Sequence, residues 1–427
     1  MKRIELEIKA LSPLAISRQK PGGSVSECED YIPGTVIRGA VASEILKQFG
    51  QQFANLSENG GHFQALFLGD EPAIFQNAYP ANVKAGHGRI FPQNRIKEIK
   101  LLPTTALSSK TKSGFCRKKD GEPTTKDKGA FDSLIDRFCA EHYGLPYDPN
   151  CPEDGGRVEP YSGFYSKVDG MYYSASASKR LLTRVGINRR RATSEEEILY
   201  SIEVLNETEA KTNKPQFFKS SILVPDDLDN LPEKLHHFIN NNSKIFRFGG
   251  STSRGLGKVK IDAKLGEIQK NIQDKIEVFN DKLWERWRKW SVFGNSIEEL
   301  PKRTYFALDL QSDAIFTEKW QRTTVISAQM LKQFTNANIE DESLKLEVAY
   351  SSYDYRSGWN AAWGLMKDVE LITNKGAVYL FSTTQPDIWY TALADLELKG
   401  VGERTCEGFG QVEVCNDFHL VFREEAA

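Results

Sequence analysis

Residues 246–261, FRFGGSTSRGLGKVKI, concentrate anion-binding chemistry. Gly249, Gly250, Gly255 and Gly257 interleave with Ser251, Thr252, Ser253 and Arg254. Glycine admits a left-handed backbone and lets another chain come close. Such a loop offers N–H groups, hydroxyls and a guanidinium to a phosphate. No Gly-Lys-Ser/Thr follows it, so it is not a nucleotide-binding P-loop. A strand pattern, Lys258 to Ile261, follows where a dinucleotide fingerprint would need a helix.

A second group of cations lies upstream. Lys179, Arg180, Arg184, Arg189, Arg190 and Arg191 fall within 13 residues that contain no acid. Residues 182–187 and 198–205 alternate as strands on either side, which predicts a hairpin with a basic tip. Arginine forks fit phosphates and stack on bases. The competing reading pairs these arginines with Glu195 to Glu197. Residues 95–128 are also basic, with ten Lys or Arg against four Asp or Glu. That stretch reads as a long loop, either a solvated surface or a phosphate contact.

Metal chemistry has one candidate. Cys116, Cys139 and Cys151 are three of six cysteines, and Cys151 opens CPEDGG, the shape of a zinc knuckle with Asp154 in place of its next cysteine. Zinc takes four tetrahedral thiolate, imidazole or carboxylate ligands. Three thiolates with Asp154, or with His142, would complete one structural zinc site.

The glycine loop is repeated. Residues 402–414, GERTCEGFGQVEV, align without a gap on residues 249–261, and Arg404, Gly408 and Gly410 fall on Ser251, Gly255 and Gly257. Ile8 to Ser12 and Phe306 to Ser312 form a fainter echo near the start of each copy. The period is too long for a solenoid and reads as two copies of one domain. From Ile4 to Gly255 is 251 positions, and from Thr304 to Gly408 is 104. The first copy therefore carries an insertion of roughly 150 residues.

With both glycine loops and the element YIPGTVIRGA at 31–40, the chain resembles the RAMP superfamily of CRISPR-associated proteins. Its likeness is greatest to the two-domain members of type III-D effector complexes. The resemblance implies an α+β fold of two ferredoxin-like (RRM-like) domains. The first would span 1–264 with an insertion at about 95–205 holding any zinc knuckle, the second 301–427. It implies RNA contact by the glycine loops, by the projecting hairpin and by Arg38 on the early helix. It also implies an RNA-cutting aspartate before that helix. Only Asp30 stands there, and a solvated loop carboxylate is the simpler reading.

Ile268, Ile272, Ile276, Phe279, Leu283, Trp287 and Trp290 recur at helical spacing and predict a linking helix within 265–300. Tyr353, Tyr355, Arg356, Trp359 and Trp363 read as core, with base stacking as the alternative. The chain has 427 residues and a formal net charge of −2, which excludes a general nucleic-acid coat and confines RNA contact to local patches. No apolar run reaches membrane-span length and the start alternates like a strand, so the expectation is a cytoplasmic protein without membrane contact.

Three functions follow. The first is a non-catalytic subunit of a type III CRISPR effector in antiviral defence. As the resemblance implies, it would bind the repeat-derived 5′ end of the guide RNA. It would dock RAMP backbone subunits and the large subunit, and meet target RNA indirectly. The second is an endoribonuclease of guide precursors or target RNA, for which no histidine constellation is visible. The third is a purely structural bridge.

Overall fold

The computed structural model describes residues 1–18, 27–49, 61–86, 89–116, 118–119, 122–123, 127–188, 193–210, 212–226, 230–268, 271–294, 302–335, 339–360 and 364–427. The fold is α+β. The first half runs through β1 (Lys2–Ala10), α1 (Gly34–Phe49) and β2 (Ile74–Phe75). An insert follows, with β3 (Ala106–Ser109), β4 (Ala130–Asp132), α2 (Leu134–His142) and β5 (Val158–Pro160). Next come the hairpin strands β6 (Lys179–Asn188) and β7 (Thr193–Leu205). The half closes with β8 (Phe217–Val224), α3 (Leu231–Asn241) and β9 (Val259–Gly266).

The long helix α4 (Ile272–Ser291) links to the second half. There β10 (Thr304–Leu310), α5 (Ala328–Phe334) and β11 (Lys345–Tyr350) lead to a hairpin, β12 (Tyr353–Arg356) and β13 (Glu370–Thr373). Then come β14 (Val378–Thr383), α6 (Asp387–Lys399) and β15 (Val412–Val414).

Both halves share one plan. The first sheet has the order β9-β1-β8-β2, the second β15-β10-β14-β11, and every pair is antiparallel. In each, the first and third strands of a strand-helix-strand-strand-helix-strand unit are central. Alternation sets the inner face of β1: Ile4, Leu6 and Ile8 are buried while Glu5 is exposed. Ile37, Val41 and Ile45, four residues apart on α1, cover that face with Leu235 and Ile239 of α3.

The second sheet is covered on both sides. Phe306 meets Trp389 of α6, with ring centroids 6.0 Å apart. On the opposite face Tyr305 meets Phe138 of α2 at 5.7 Å, and α4 lies beside it through Asn280, which bonds both backbone groups of Tyr305. Ile272, Ile276, Phe279, Leu283 and Trp287 bury one stripe of α4, as the spacing predicts.

The insert leaves the first half but packs on the second. Leu134, Ile135, Phe138 and Cys139 of α2 join the second half's core. Phe115, Phe131 and Tyr165 share a cluster with Phe418, Val421 and Ala426 near the C-terminus. Two buried polar clusters seal this contact. Arg286 of α4 grips Asp136 of α2 through two bonds of 2.6 and 2.8 Å, and Trp290 Nε1 donates to the same carboxylate at 2.8 Å. His419 lies between Asp132, 3.0 Å from Nδ1, and Asp309, 2.8 Å from Nε2.

Candidate nucleic-acid interface

The two glycine loops share their backbone as well as their sequence. Gly250 N donates to Ala15 O and Gly257 N to Pro13 O, each at 2.9 Å. In the second loop Glu403 N donates to Ile315 O at 3.0 Å and Gly410 N to Asp313 O at 2.9 Å. Ser12 Oγ accepts from Lys258 N and Ser312 Oγ from Gln411 N, both at 2.8 Å. Each loop enters a short 3-10 turn from a left-handed residue, Ser251 or Arg404, and leaves it through a left-handed glycine, Gly255 or Gly408.

Their surroundings differ. In the first loop Thr252, Ser253, Arg254 and Gly255 are exposed, and a Cβ on Gly255 would meet nothing within 4 Å. Gly249 and Gly257 serve the fold, because a Cβ on either would lie 2.4 or 2.5 Å from a backbone oxygen. Gly250 stands clear of such a clash, 3.8 Å from Ala15 O.

The second loop is turned inward. Gly408 packs on Phe75 and Gly34 of the first half, and Gly410 on Val401. Arg404 is spent on Glu407 and lies 4.9 Å from the Phe409 ring centroid. Of the three residues expected at an RNA surface, Gly408 is placed in the joint between halves, while Arg404 and Gly410 pack within the second half.

The first loop and the β6–β7 hairpin form one surface. Arg254 Nη1 donates to Tyr200 Oη at 2.6 Å, with the guanidinium 6.0 Å from the ring centroid. Tyr200 stands opposite Arg184 in the hairpin register. Below them Leu256 of the loop packs with Val204, Ala15, Leu182 and Ile202. Sequence reasoning missed Tyr200; its only signal is that register position across from a basic residue. Arg189, Arg190 and Arg191 lie outside the described residues.

The hairpin base is less free than its charge suggests. Lys179 Nζ donates to Cys28 O and pairs with Asp30 at 2.6 Å, and Arg180 pairs with Glu207 at 3.0 Å. Burial works against the Lys179 charge, but the Asp30 hydrogen bond and charge outweigh it and raise its pKa. Asp30 is exposed and held by this lysine. Arg38 does not reach the loop surface. It donates to Phe67 O at 2.5 Å and lies 5.6 Å from the Phe67 ring centroid.

The zinc expectation does not fit the residues as placed. Among the described residues, no group of three or more His, Cys, Asp or Glu side chains is arranged to hold a metal ion. Cys139 sits in the apolar core on α2, where burial pushes its thiol pKa up and Asp136 adds to the rise. His142 is 4.4 Å from Trp287, centroid to centroid. Cys151 does form a tight turn: its N–H donates to Gly156 O, and Asp154 accepts from Gly156 N at 3.0 Å. The turn is closed by its own hydrogen bonds. Cys116, Cys139 and Cys151, with Asp154 or His142, are not brought together as a ligand set.

Two aromatics of the second half depart from expectation; Trp363 and the Trp359 side chain lie outside the described residues. Tyr353 and Tyr355 are 62% and 52% exposed, not core. Arg356, which follows Tyr355, is turned inward. It pairs with Asp313 at 2.8 Å and with Glu29, and donates to Tyr31 Oη at 3.3 Å. This bridge between halves has no local sequence signal, since its partners are about 40 and 330 residues away in the chain.

The family described as the RAMP superfamily matches residues 7–260. A chain in a cryo-EM structure of the Type III-B Cmr-beta bound to cognate target RNA and AMPPnP is similar at 12% identity, over 91% of this chain and 88% of that one, with a TM-score of 0.36. Oligomeric Cmr4 from Pyrococcus furiosus is similar at 14% identity, over 62% of this chain and 99% of that one, with a TM-score of 0.25. Among curated proteins none matches. No helix among the described residues is long and apolar enough to cross a membrane.

Proposed function

Because the chain belongs to the RAMP superfamily, we propose that it is an RNA-binding subunit of a type III CRISPR effector complex. It holds the single-stranded, repeat-derived 5′ end of the guide RNA and docks neighbouring subunits. In this reading the two strand-helix-strand-strand-helix-strand units are ferredoxin-like domains, and their shared strand order supports it.

The observation that carries the reading is the convergence of the first glycine loop on the basic hairpin at Arg254 and Tyr200. A ring, two guanidinium groups from Arg184 and Arg254, exposed hydroxyls and an open glycine are gathered on one surface. Cations take phosphates, the ring takes a base, and the open backbone at Gly255 lets the sugar–phosphate chain approach. The outward turn of the first loop and the inward turn of the second give the two copies separate tasks. One grips RNA and the other joins the halves.

Filter binding of guide and scrambled RNA across a salt series tests this. Each phosphate contact to a single strand contributes a slope of about −0.7 in log affinity against log salt. Replacing Arg189, Arg190 and Arg191 together with alanine is expected to weaken guide binding and flatten the slope by about two units. An unchanged slope removes the hairpin from the RNA site. A discrete cleavage product from the wild-type protein, lost on replacing Asp30, would make it a nuclease instead.

A further inference from the structure

The β12–β13 hairpin is inside out. Register places Asp354 opposite Ile372 and Arg356 opposite Glu370 on one face, with Tyr353, Tyr355 and Leu371 on the other. The charged face is the one turned into the protein. Arg356 binds Glu29 and Asp313, Arg18 binds Asp354 at 2.7 Å, and Arg322 binds Glu370 at 2.7 Å. The outward face is apolar except at its base, where Thr373 opposite Tyr353 is buried and pairs with Ala314. Tyr353 is 62% exposed, Tyr355 52% and Val369 54%, and toward the tip Leu365 and Met366 are 61% and 64% exposed. An antiparallel hairpin on a protein surface ordinarily alternates the other way, apolar in and polar out. A contiguous exposed apolar strip of this kind marks a surface that another molecule covers.

We propose that this outer face is a protein-docking surface, covered in the assembled complex by an apolar surface of a neighbouring, different subunit. The inference rests on the proposed function for the existence of that complex. Charge decides between protein and RNA as the occupant. A bound strand needs cations beside its bases, and the described cations of this hairpin are committed elsewhere: Arg356 to Glu29 and Asp313, Lys367 to Glu407 at 3.4 Å. What remains outward is aromatic and aliphatic surface, the composition of an interface centre, with Asp368 exposed near the tip, an acid that repels phosphate. The hairpin is also preformed. Four ion pairs on its inner face fix it to both halves, so docking need not order it first, which lowers the cost of binding. Tyr353 and Tyr355 meet edge to face, 6.2 Å apart at 85°, and present two rings as anchors.

The test uses the full chain, co-expressed with the other subunits and guide RNA. Two double variants, Tyr353→Ser with Tyr355→Ser and Leu365→Ser with Met366→Ser, are purified alone and through the complex. The expected result is association with the complex weakened about 30-fold or more in each. The melting temperature, guide RNA affinity and salt slope of the isolated variants should match wild type. Variants that assemble like wild type overturn the proposal. So does a loss of RNA affinity with assembly intact, which would put bases on this face. A wild-type chain that dimerises alone, with variants that do not, would make the occupant a second copy and also overturn it. Failure of the wild-type chain itself to assemble would instead sink the functional reading, and this surface with it.

Discussion

Gly34 and Gly408 meet across the joint between the two halves: a Cβ on Gly408 would lie 3.2 Å from Gly34 Cα and 2.9 Å from Phe75 O. A Cβ on Gly34 would fall 1.9 Å from Phe75 O and 2.9 Å from Glu407 O. Those neighbours are backbone atoms and cannot rotate away. Gly408 also has a φ of +92°, which a larger residue adopts only under strain. Gly34→Ala is expected to destabilise the chain by about 2–3 kcal/mol through overpacking, and Gly408→Ala by about 2–5 kcal/mol through overpacking and backbone strain. Gly255→Ala, equally left-handed but open, should cost only about 1–2 kcal/mol. Chemical denaturation of the three variants checks the order.

The glycine spacing made the repeat legible, because a left-handed turn between two strands tolerates few residues besides glycine. Ile4, Leu6 and Ile8 made the first strand legible, and the apolar steps of α4 made the linking helix so. What the two loops touch was not legible. Gly255 and Gly408 hold the same place in the repeat, yet one is open and the other is pressed against Phe75. That difference is made by tertiary packing of distant segments, which local pattern does not encode. Cys139 misled for the same reason. A thiol at plausible ligand spacing is also a small apolar side chain, and on the buried face of α2 it behaves as one.

His419 should remain an imidazolium at neutral pH. Burial opposes its charge, but Asp309 and Asp132 outweigh burial through charge and hydrogen bonds, raising its pKa well above the usual 6.5. A raised folded-state pKa stabilises the fold fully below the unfolded value and loses that effect as pH rises through the folded one. His419→Gln is therefore expected to cost about 3–5 kcal/mol at pH 6, since it leaves two buried carboxylates without a cation. The deficit against wild type should shrink steadily as pH rises above 6.5. Urea midpoints of both proteins between pH 5.5 and 9 measure this, and a deficit that grows with pH would contradict it.

Arg356 holds two acids of different halves, Glu29 and Asp313, both buried. Removing it leaves both carboxylates without their cation. Arg356→Met should destabilise the chain by about 3–5 kcal/mol. The triple change with Glu29→Gln and Asp313→Asn should recover much of that loss, because no uncompensated charge then remains. Equal losses in the single and triple variants would show that Arg356 acts through packing alone.

Asp30 separates two readings of the loop before α1 by the sign of one effect. If it cut RNA, Asp30→Ala would abolish a product and leave affinity for RNA nearly unchanged. In the structure it is bonded to Lys179 at 2.6 Å, at the base of the basic hairpin. Its carboxylate therefore competes with phosphate for that ammonium group. Asp30→Ala is expected to tighten guide RNA binding and to steepen the salt slope by about 0.7, one more phosphate contact. Stability should change by less than about 1 kcal/mol, because Asp30 is largely exposed and Lys179 keeps its bond to Cys28 O. Lys179→Ala should leave the slope near its wild-type value, since that lysine is already neutralised by Asp30. In Lys179→Ala, a further Asp30→Ala change should no longer steepen the slope. The four proteins of this cycle, measured by filter binding over the same salt series, give the coupling directly. A slope that steepens in Asp30→Ala whether or not Lys179 is present would mean that the carboxylate repels the strand itself instead of occupying the lysine.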